Sequence, residues 1–148
     1  RFGAPGADDA AVARALSVAQ AADFVGAMEG GSGASVTQGG TNVSGGQRQR
    51  LAVARAVARD PSVYLFDDTF SALDARTDAR LRAALRSETS GSTVIMVAQR
   101  VGSIMDADRI VVLDEGRVAG IGTHDELLEG NAVYREIVQS QLSAEAEA

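Results

Sequence analysis

The stretch Val43–Arg50, with the sequence VSGGQRQR, constrains the fold of this chain more than any other. A serine, two glycines and a glutamine at the start of a helix make a phosphate site from backbone N–H groups, a hydroxyl and the positive helix end. The glycines let the backbone approach a phosphate because no Cβ stands in the way. The residues predicted to form this site are Ser44, Gly45, Gly46 and Gln47.

An acidic pair follows a short apolar run further along the chain. The run is Val63–Phe66, and the pair is Asp67 and Asp68. The carboxyl end of a buried strand is where the Mg²⁺ of a nucleotide would be held. A second apolar run, Thr93–Ala98, is separated from the first by the helix-length segment Ala75–Glu88. This order predicts a βαβ unit, with both strands covered on both faces of a parallel sheet.

These two stretches resemble the signature motif and the Walker B strand of the ATP-binding cassette (ABC) ATPases, and the resemblance covers nearly the whole chain. It implies an α/β fold, namely a partial P-loop NTPase core with a parallel sheet plus a helical subdomain. Residues 1–60 would form part of the helical subdomain with the signature helix, and residues 61–142 the later part of the ATPase core. Residues 143–148 are expected to be a disordered tail.

The P-loop of this family is missing from the sequence. It needs a lysine that reaches the β- and γ-phosphates, yet all 14 basic residues of the chain are arginines. The chain also begins with Arg1-Phe2-Gly3, without a starting methionine. We therefore expect it to be the C-terminal part of a nucleotide-binding domain. Alone, it is expected to bind ATP weakly and to hydrolyse none.

The resemblance implies ATP and Mg²⁺ as the cofactors. In the family, the signature motif closes over the γ-phosphate held by the P-loop of a partner domain, so Ser44–Gln47 would act in trans. Asp67 matches the Walker B aspartate, which holds Mg²⁺ through water. Ser71 and Asp74 belong to the string SALD, which matches the D-loop that crosses the dimer interface.

Two predicted catalytic positions depart from the hydrolytic pattern. Asp68 stands where the family has a glutamate that polarises the attacking water, and a misplacement of about 1 Å can cost about a hundredfold in rate. Gln99 stands where the family has a histidine that contacts the γ-phosphate, and glutamine cannot become a cation or shuttle a proton. Together with Gln38–Asn42 before the signature, these residues resemble the degenerate half of heterodimeric ABC exporters.

The resemblance also implies the partners. These are a second nucleotide-binding domain, in a heterodimer, and the transmembrane domain of an exporter, at the cytoplasmic face of the cell membrane. A net charge of −6 argues against a nucleic-acid partner, because such proteins usually carry a basic face. Two alternatives stay open: a non-hydrolysing regulatory half that binds ATP statically, and a soluble ABC ATPase without a transport role.

Local patterns predict the remaining elements. The glycine-rich segment Glu29–Asn42 reads as a loop; its composition favours a flexible linker, and its position before the signature favours a contact loop near the membrane domain. His124, the only histidine, is expected to be a surface residue in the first turn of a helix, far from the nucleotide. Further helices are predicted at residues 9–20, 21–28, 44–59 and 132–142, and a hairpin at Ile110–Leu113 with Arg117–Ile121.

Overall fold

A computed structural model describes residues 4–146 of the 148-residue chain; the start Arg1-Phe2-Gly3 and residues 147–148 of the predicted tail lie outside that range. The helices are α1 (Asp9–Val18), α2 (Ala22–Gly26), α3 (Gly45–Val57), α4 (Ala75–Glu88), α5 (His124–Gly130) and α6 (Ala132–Ala146), and the strands are β1 (Val63–Asp67), β2 (Thr93–Val97), β3 (Ile110–Asp114) and β4 (Arg117–Gly122). The chain forms two compact units that divide between Val97 and Ala98.

The first unit contains the predicted βαβ unit. Strands β1 and β2 pair in parallel, from Val63 opposite Thr93 to Asp67 opposite Val97. Helix α4 connects them over the same residues that the sequence predicts. The core of this unit joins α1, α3 and α4 to one face of the sheet through buried apolar side chains: Ala15, Val53, Val57, Tyr64, Phe66, Leu81 and Leu85.

The prediction that both faces of the sheet are covered is wrong for the residues described here. Tyr64 and Phe66 are only 2% and 4% exposed, whereas Val63 and Leu65 are 55% and 69% exposed. Successive side chains of a strand point to opposite faces of a sheet. The helices of residues 4–97 pack on the Tyr64 and Phe66 face, so the apolar residues between them face outward.

Polar side chains cap several helices at the residues that the sequence marks. Asp8 caps α1 by accepting a hydrogen bond from the Ala11 amide at 2.7 Å. The signature helix α3 begins after its cap Ser44 but ends at Val57, before the predicted end at residue 59. A helix is disfavoured at the residue before a proline, here Asp60 before Pro61. Asp60 itself lies in the left-handed region, with φ +47°.

The glycine-rich segment before α3 is a loop, as predicted, and it is held together by its own hydrogen bonds. The Asn42 side-chain oxygen accepts bonds from both the amide and the hydroxyl of Thr37, each at 3.1 Å. The Asn42 side-chain amide donates to the Ser35 carbonyl at 2.9 Å. These contacts favour a shaped loop over a flexible linker.

The second unit is a hairpin packed against two helices. Strands β3 and β4 are antiparallel, and Glu115 and Gly116 turn between them with φ of +46° and +74°, the left-handed conformations of a tight hairpin turn. Thr123 caps α5 through a reciprocal bond pair with Glu126. The final helix continues to Ala146, so the tail predicted from residue 143 begins as helix.

His124 begins helix α5, as predicted, but it is not a simple surface residue. Its side chain is half-buried, and its Nδ1 lies 2.8 Å from the Tyr134 hydroxyl. The two rings meet edge to face with their centroids 5.7 Å apart. Burial raises the pKa of Tyr134 above the ordinary value of a tyrosine. His124 therefore helps to join α5 to α6.

No helix between residues 4 and 146 has the length and apolar character needed to cross a membrane.

Leu81→Ala should lower the free energy of unfolding of this chain by about 2–5 kcal/mol, because Leu81 is fully buried and its truncation leaves a cavity. The control, Leu65→Ala, removes a side chain that is 69% exposed and should change stability by less than about 0.5 kcal/mol. Urea denaturation of the 148-residue chain measures both. Equal losses would contradict the one-sided packing of β1.

Candidate functional site

The start of helix α3 is built by a capping box. The Ser44 amide donates to Gln47 Oε1 at 2.9 Å, and the Gln47 amide donates to Ser44 Oγ at 3.2 Å. The amides of Gly45 and Gly46 are the first two of the helix and have no intrahelical acceptor. The Ser44 hydroxyl accepts in the cap, so its own hydrogen is free to point at a ligand. Two amides and one hydroxyl are thus available to an anion at the positive helix end.

The two glycines of this site differ in their surroundings. A Cβ added at Gly46 would lie 3.0 Å from the carbonyl oxygen of Ala72 and 3.3 Å from the side chain of Leu73. A Cβ added at Gly45 would lie 3.7 Å from the Ala72 Cβ, which is an ordinary contact. Packing inside this chain therefore favours glycine at position 46, in addition to the predicted approach of a phosphate.

Gln49 joins α3 to the loop that follows β1. Its side-chain amide donates to Ser71 Oγ at 3.1 Å, and its Oε1 accepts from the Ala72 amide at 3.0 Å. The Ser71 hydroxyl in turn donates to the Asp68 carbonyl at 3.1 Å. Sequence analysis missed Gln49. Its spacing of three residues from Gly46 is the signal that could have found it, because residues i and i+3 share a helix face.

The acidic pair lies at the end of β1, as predicted. Asp67 is the last residue of the strand, and Asp68 follows with φ +47°. The Asp68 amide donates to the Val97 carbonyl at 3.1 Å, which anchors the turn to β2. Both side chains are exposed. The structure therefore brings the acidic pair and the loop through Ser71 together at the carboxyl end of β1.

The donor set at this strand end fits Mg²⁺ bound together with a nucleotide. Within residues 4–146, no group of three or more His, Cys, Asp or Glu side chains could hold a metal by itself. Mg²⁺ is usually held by one or two carboxylates, with phosphate oxygens and water completing its shell. Asp67, with Asp68 beside it, supplies carboxylates for that arrangement.

Asp74 has a role within its own chain. Its carboxylate accepts a 2.9 Å hydrogen bond from the Thr77 amide and caps helix α4. The hydrogen bond from the Thr77 amide is the largest cause that lowers the pKa of Asp74. Because the folded-state pKa is lowered, the stabilising cap is complete above the ordinary pKa of aspartate. It is lost as the pH falls through the lowered value.

Gln99 lies in the second unit, apart from the other predicted site residues along the chain. Its side chain is exposed, and its backbone carbonyl accepts a 2.6 Å hydrogen bond from the Gln141 side-chain amide. The Val101 amide donates to Gln141 Oε1 at 2.8 Å. Sequence analysis also missed Gln141, and no local pattern in helix α6 marks it.

Arg50 fixes the other side of the signature helix. Its guanidinium donates to the Gln20 carbonyl at 2.6 Å and lies 4.7 Å from the centroid of the Phe24 ring. A cation over an aromatic face is attracted by the ring quadrupole. Arg50 therefore holds α3 against α2 and the segment that joins α2 to α1.

An open groove of about 530 Å³ runs along the C-terminal half of α3 and the exposed face of β1. Arg55 and Arg59 line it together with Leu65 and Thr69. None of the residues predicted to contact phosphate lines this groove, although two of its lining residues, Phe66 and Thr69, flank the acidic pair in the sequence.

Comparison with known proteins agrees with the motifs. The family model described as ABC transporter matches residues 8–71. An uncharacterized ABC transporter ATP-binding protein of Mycobacterium tuberculosis is 50% identical over 127 residues, which are 86% of this chain and 22% of that protein. An ATP-dependent lipid A-core flippase of Cupriavidus pinatubonensis is 44% identical over the same shares of the two chains.

A solved structure supports the fold. The structure of a bacterial Atm1-family ABC exporter with ATP bound matches with a TM-score of 0.89 and 38% identity. The match covers 95% of this chain and 25% of that chain. The predicted family and the partial α/β ATPase fold are therefore confirmed, and this chain spans about a quarter or less of the length of these relatives.

Gly46→Ala should destabilise the chain by about 1–3 kcal/mol, because the new methyl group presses on the Ala72 carbonyl. Gly45→Ala is the matched control and should be neutral or stabilising by up to about 1 kcal/mol, since alanine is the better helix former. Urea denaturation of the 148-residue chain gives both values. If the two variants have the same stability, the contact between α3 and the loop is not tight.

Proposed function

Because the chain belongs to the ATP-binding domains of ABC transporters and its relatives include exporters, we propose that it is part of the subunit whose ATP hydrolysis powers export. ATP supplies the γ-phosphoryl group and the free energy. The chain contributes the signature motif in trans, to ATP held by the P-loop of a second nucleotide-binding domain. A transmembrane domain provides the path for the substrate, and the assembly works at the cytoplasmic face of the cell membrane.

The capping box at the start of α3 is the observation that carries this proposal. Gln47 completes the cap, so the Ser44 hydroxyl and the amides of Gly45 and Gly46 are preorganised and directed away from the helix. Donors fixed before a ligand arrives stabilise developing negative charge without reorganisation. The sequence has no lysine for a P-loop. We therefore propose that this chain alone binds ATP weakly and hydrolyses none.

The second part of the proposal is that Asp68 and Gln99 mark this chain as the degenerate half of a heterodimer. The aspartate carboxylate is one methylene shorter than the glutamate that orients water in hydrolytic members. Gln99 donates hydrogen bonds but carries no charge. This half holds a nucleotide but positions the attacking water poorly. Hydrolysis therefore takes place on the ATP held by the partner's P-loop.

A regulatory half that never hydrolyses ATP is the second candidate, and the same two residues favour it. The two candidates differ in whether this polypeptide's signature motif serves a productive site. A soluble ABC ATPase without a transport role finds less support, since the relatives described above are named as a transporter protein and a flippase.

Ser44→Arg in the full-length protein, assembled with its partner, should reduce steady-state ATPase activity by about 10²–10³-fold, the usual cost of losing a preorganised donor. The bulky cation also blocks closure over the phosphate. Ser90→Arg adds the same charge at an exposed position after α4 and should leave activity unchanged. Phosphate release measures both. Activity near wild type in Ser44→Arg would refute the signature-in-trans model and leave the regulatory half as the better account.

Asp68→Asn should reduce total turnover only modestly, whereas neutralising the matching acid of the partner should cost about 10²–10⁴-fold. The reason is that a half with Asp68 in place of glutamate and Gln99 in place of histidine already contributes little to hydrolysis. Asp68→Glu combined with Gln99→His should raise hydrolysis at this site more than Asp68→Glu alone, because both groups act on one transition state. Single-turnover assays on the full transporter separate these cases. Equal losses from the two neutralised acids would show that the sites are equivalent.

A further inference from the structure

We propose that Gln141, near the C-terminal end of the chain, is a positioning residue. It fixes the position of the Gln99 backbone and so determines how the Gln99 side chain approaches the nucleotide. The inference rests on the proposed function, since it takes Gln99 as a residue that faces the γ-phosphate. It goes beyond that function by assigning a role to helix α6.

The Gln141 side chain makes two hydrogen bonds to the backbone of the segment Gln99–Val101. Its amide nitrogen donates to the Gln99 carbonyl at 2.6 Å, and its amide oxygen accepts from the Val101 amide at 2.8 Å. A glutamine amide presents a donor and an acceptor side by side, which matches a backbone carbonyl and an amide two residues apart. The Gln99 carbonyl and the Val101 amide are therefore held relative to α6.

The backbone at Val101 needs such a partner. Val101 begins a short 3₁₀ turn, Val101–Ser103, and the first N–H of a helical turn has no acceptor within it. The amides of Ser103 and Ile104 have local acceptors, at the carbonyls of Arg100 and Val101. Gln141 supplies the acceptor that the turn itself cannot supply, and so fixes where the turn begins.

Helix α6, which carries Gln141, is itself fixed by packing against the core of the second unit. Tyr134 is 2% exposed and packs in the core of the second unit with Val101 and Leu127. Val138 is partly buried against the same core. Tyr134, Val138 and Gln141 are spaced at i, i+4 and i+7, so they lie along one face of the helix. The core thus fixes the helix face from which Gln141 extends.

The consequence is a shift in the affinity of this polypeptide for nucleotide when Gln141 is lost. Without the two hydrogen bonds, the segment Gln99–Val101 is free to move. The Gln99 side chain then extends from a backbone whose position is no longer fixed. One well-placed hydrogen bond to a charged group is worth roughly tenfold in affinity. We expect Gln141→Leu to weaken nucleotide binding at this site by roughly that factor.

The test uses the full-length protein with its partner, and Gln139→Leu is the matched control. Gln139 lies on the same helix with an exposed side chain. Photolabelling with 8-azido-ATP, with the polypeptides separated on a gel, gives the half-saturating concentration for this polypeptide alone. That concentration should rise about tenfold in Gln141→Leu and stay at the wild-type value in Gln139→Leu.

A double-mutant cycle separates positioning from general loosening of the fold. If Gln141 acts through Gln99, Gln141→Leu should have little further effect on labelling in a Gln99→Ala background. Hydrogen exchange in the peptide spanning residues 99–104 should become faster in Gln141→Leu and remain unchanged in Gln139→Leu. If Gln141→Leu does not fold, Gln141→Glu replaces it; it keeps the acceptor for Val101, loses the donor to Gln99, and should also weaken labelling.

The outcomes are distinct. A wild-type protein in which 8-azido-ATP fails to label this polypeptide overturns the part of the proposed function in which this half holds a nucleotide, and this inference with it; the signature-in-trans part is tested separately by Ser44→Arg. A labelled wild-type protein in which Gln141→Leu behaves like Gln139→Leu overturns the inference alone. An equal loss with and without Gln99 also overturns it, because Gln141 would then act on the fold in general.

Discussion

The close approach of helix α3 to the loop after β1 is the contact on which the candidate site depends. Gly46 leaves just enough room for the Ala72 carbonyl, and Gln49 bonds the same loop through Ser71 and Ala72. The helix start that offers donors to a phosphate and the loop beside the acidic pair are therefore joined by packing and by two side-chain hydrogen bonds. This close approach gives a packing reason for glycine, a poor helix former, at position 46.

Two glutamines do similar work in the two units. Gln49 donates to Ser71 and accepts from Ala72, while Gln141 donates to the Gln99 carbonyl and accepts from the Val101 amide. In each case a helix carries the amide, and the held segment follows a strand of the parallel sheet. Loops of this kind have few backbone partners of their own. A glutamine side chain, which has both a donor and an acceptor, can fix such a loop through two hydrogen bonds at once.

Local signals in the sequence predicted most of the elements. Helix α4 has the expected bounds, and Ser44 and Thr123 cap their helices because their hydroxyls reach amides only three residues away. The burial of β1 was predicted wrongly. An apolar run shows that a strand is suited to burial, but which face is covered depends on what packs there. Leu65 is exposed in the described residues although its sequence neighbourhood resembles that of Phe66.

Gln49 and Gln141 escaped prediction for a different reason. Their partners lie 22 to 42 residues away along the chain. Caps and turns repeat at fixed short spacings, whereas contacts between distant segments depend on the completed fold. The predicted roles of Ser44, Asp67 and Gln99 came from resemblance to a family, and resemblance marks the residues that meet the ligand. It is less informative about the residues that hold them in place.

Asp68 shows how local backbone and chemistry meet at one position. Its φ of +47° lies in the left-handed region, which aspartate and asparagine adopt more often than most other non-glycine residues. The Asp68 amide bonds the Val97 carbonyl and its own carbonyl accepts from Ser71, so the surrounding structure fixes this conformation. A shorter acid is thus compatible with the turn while its carboxylate reaches less far. The turn can keep its shape with the shorter acid, which is compatible with the proposed role of a half that contributes mainly its signature motif.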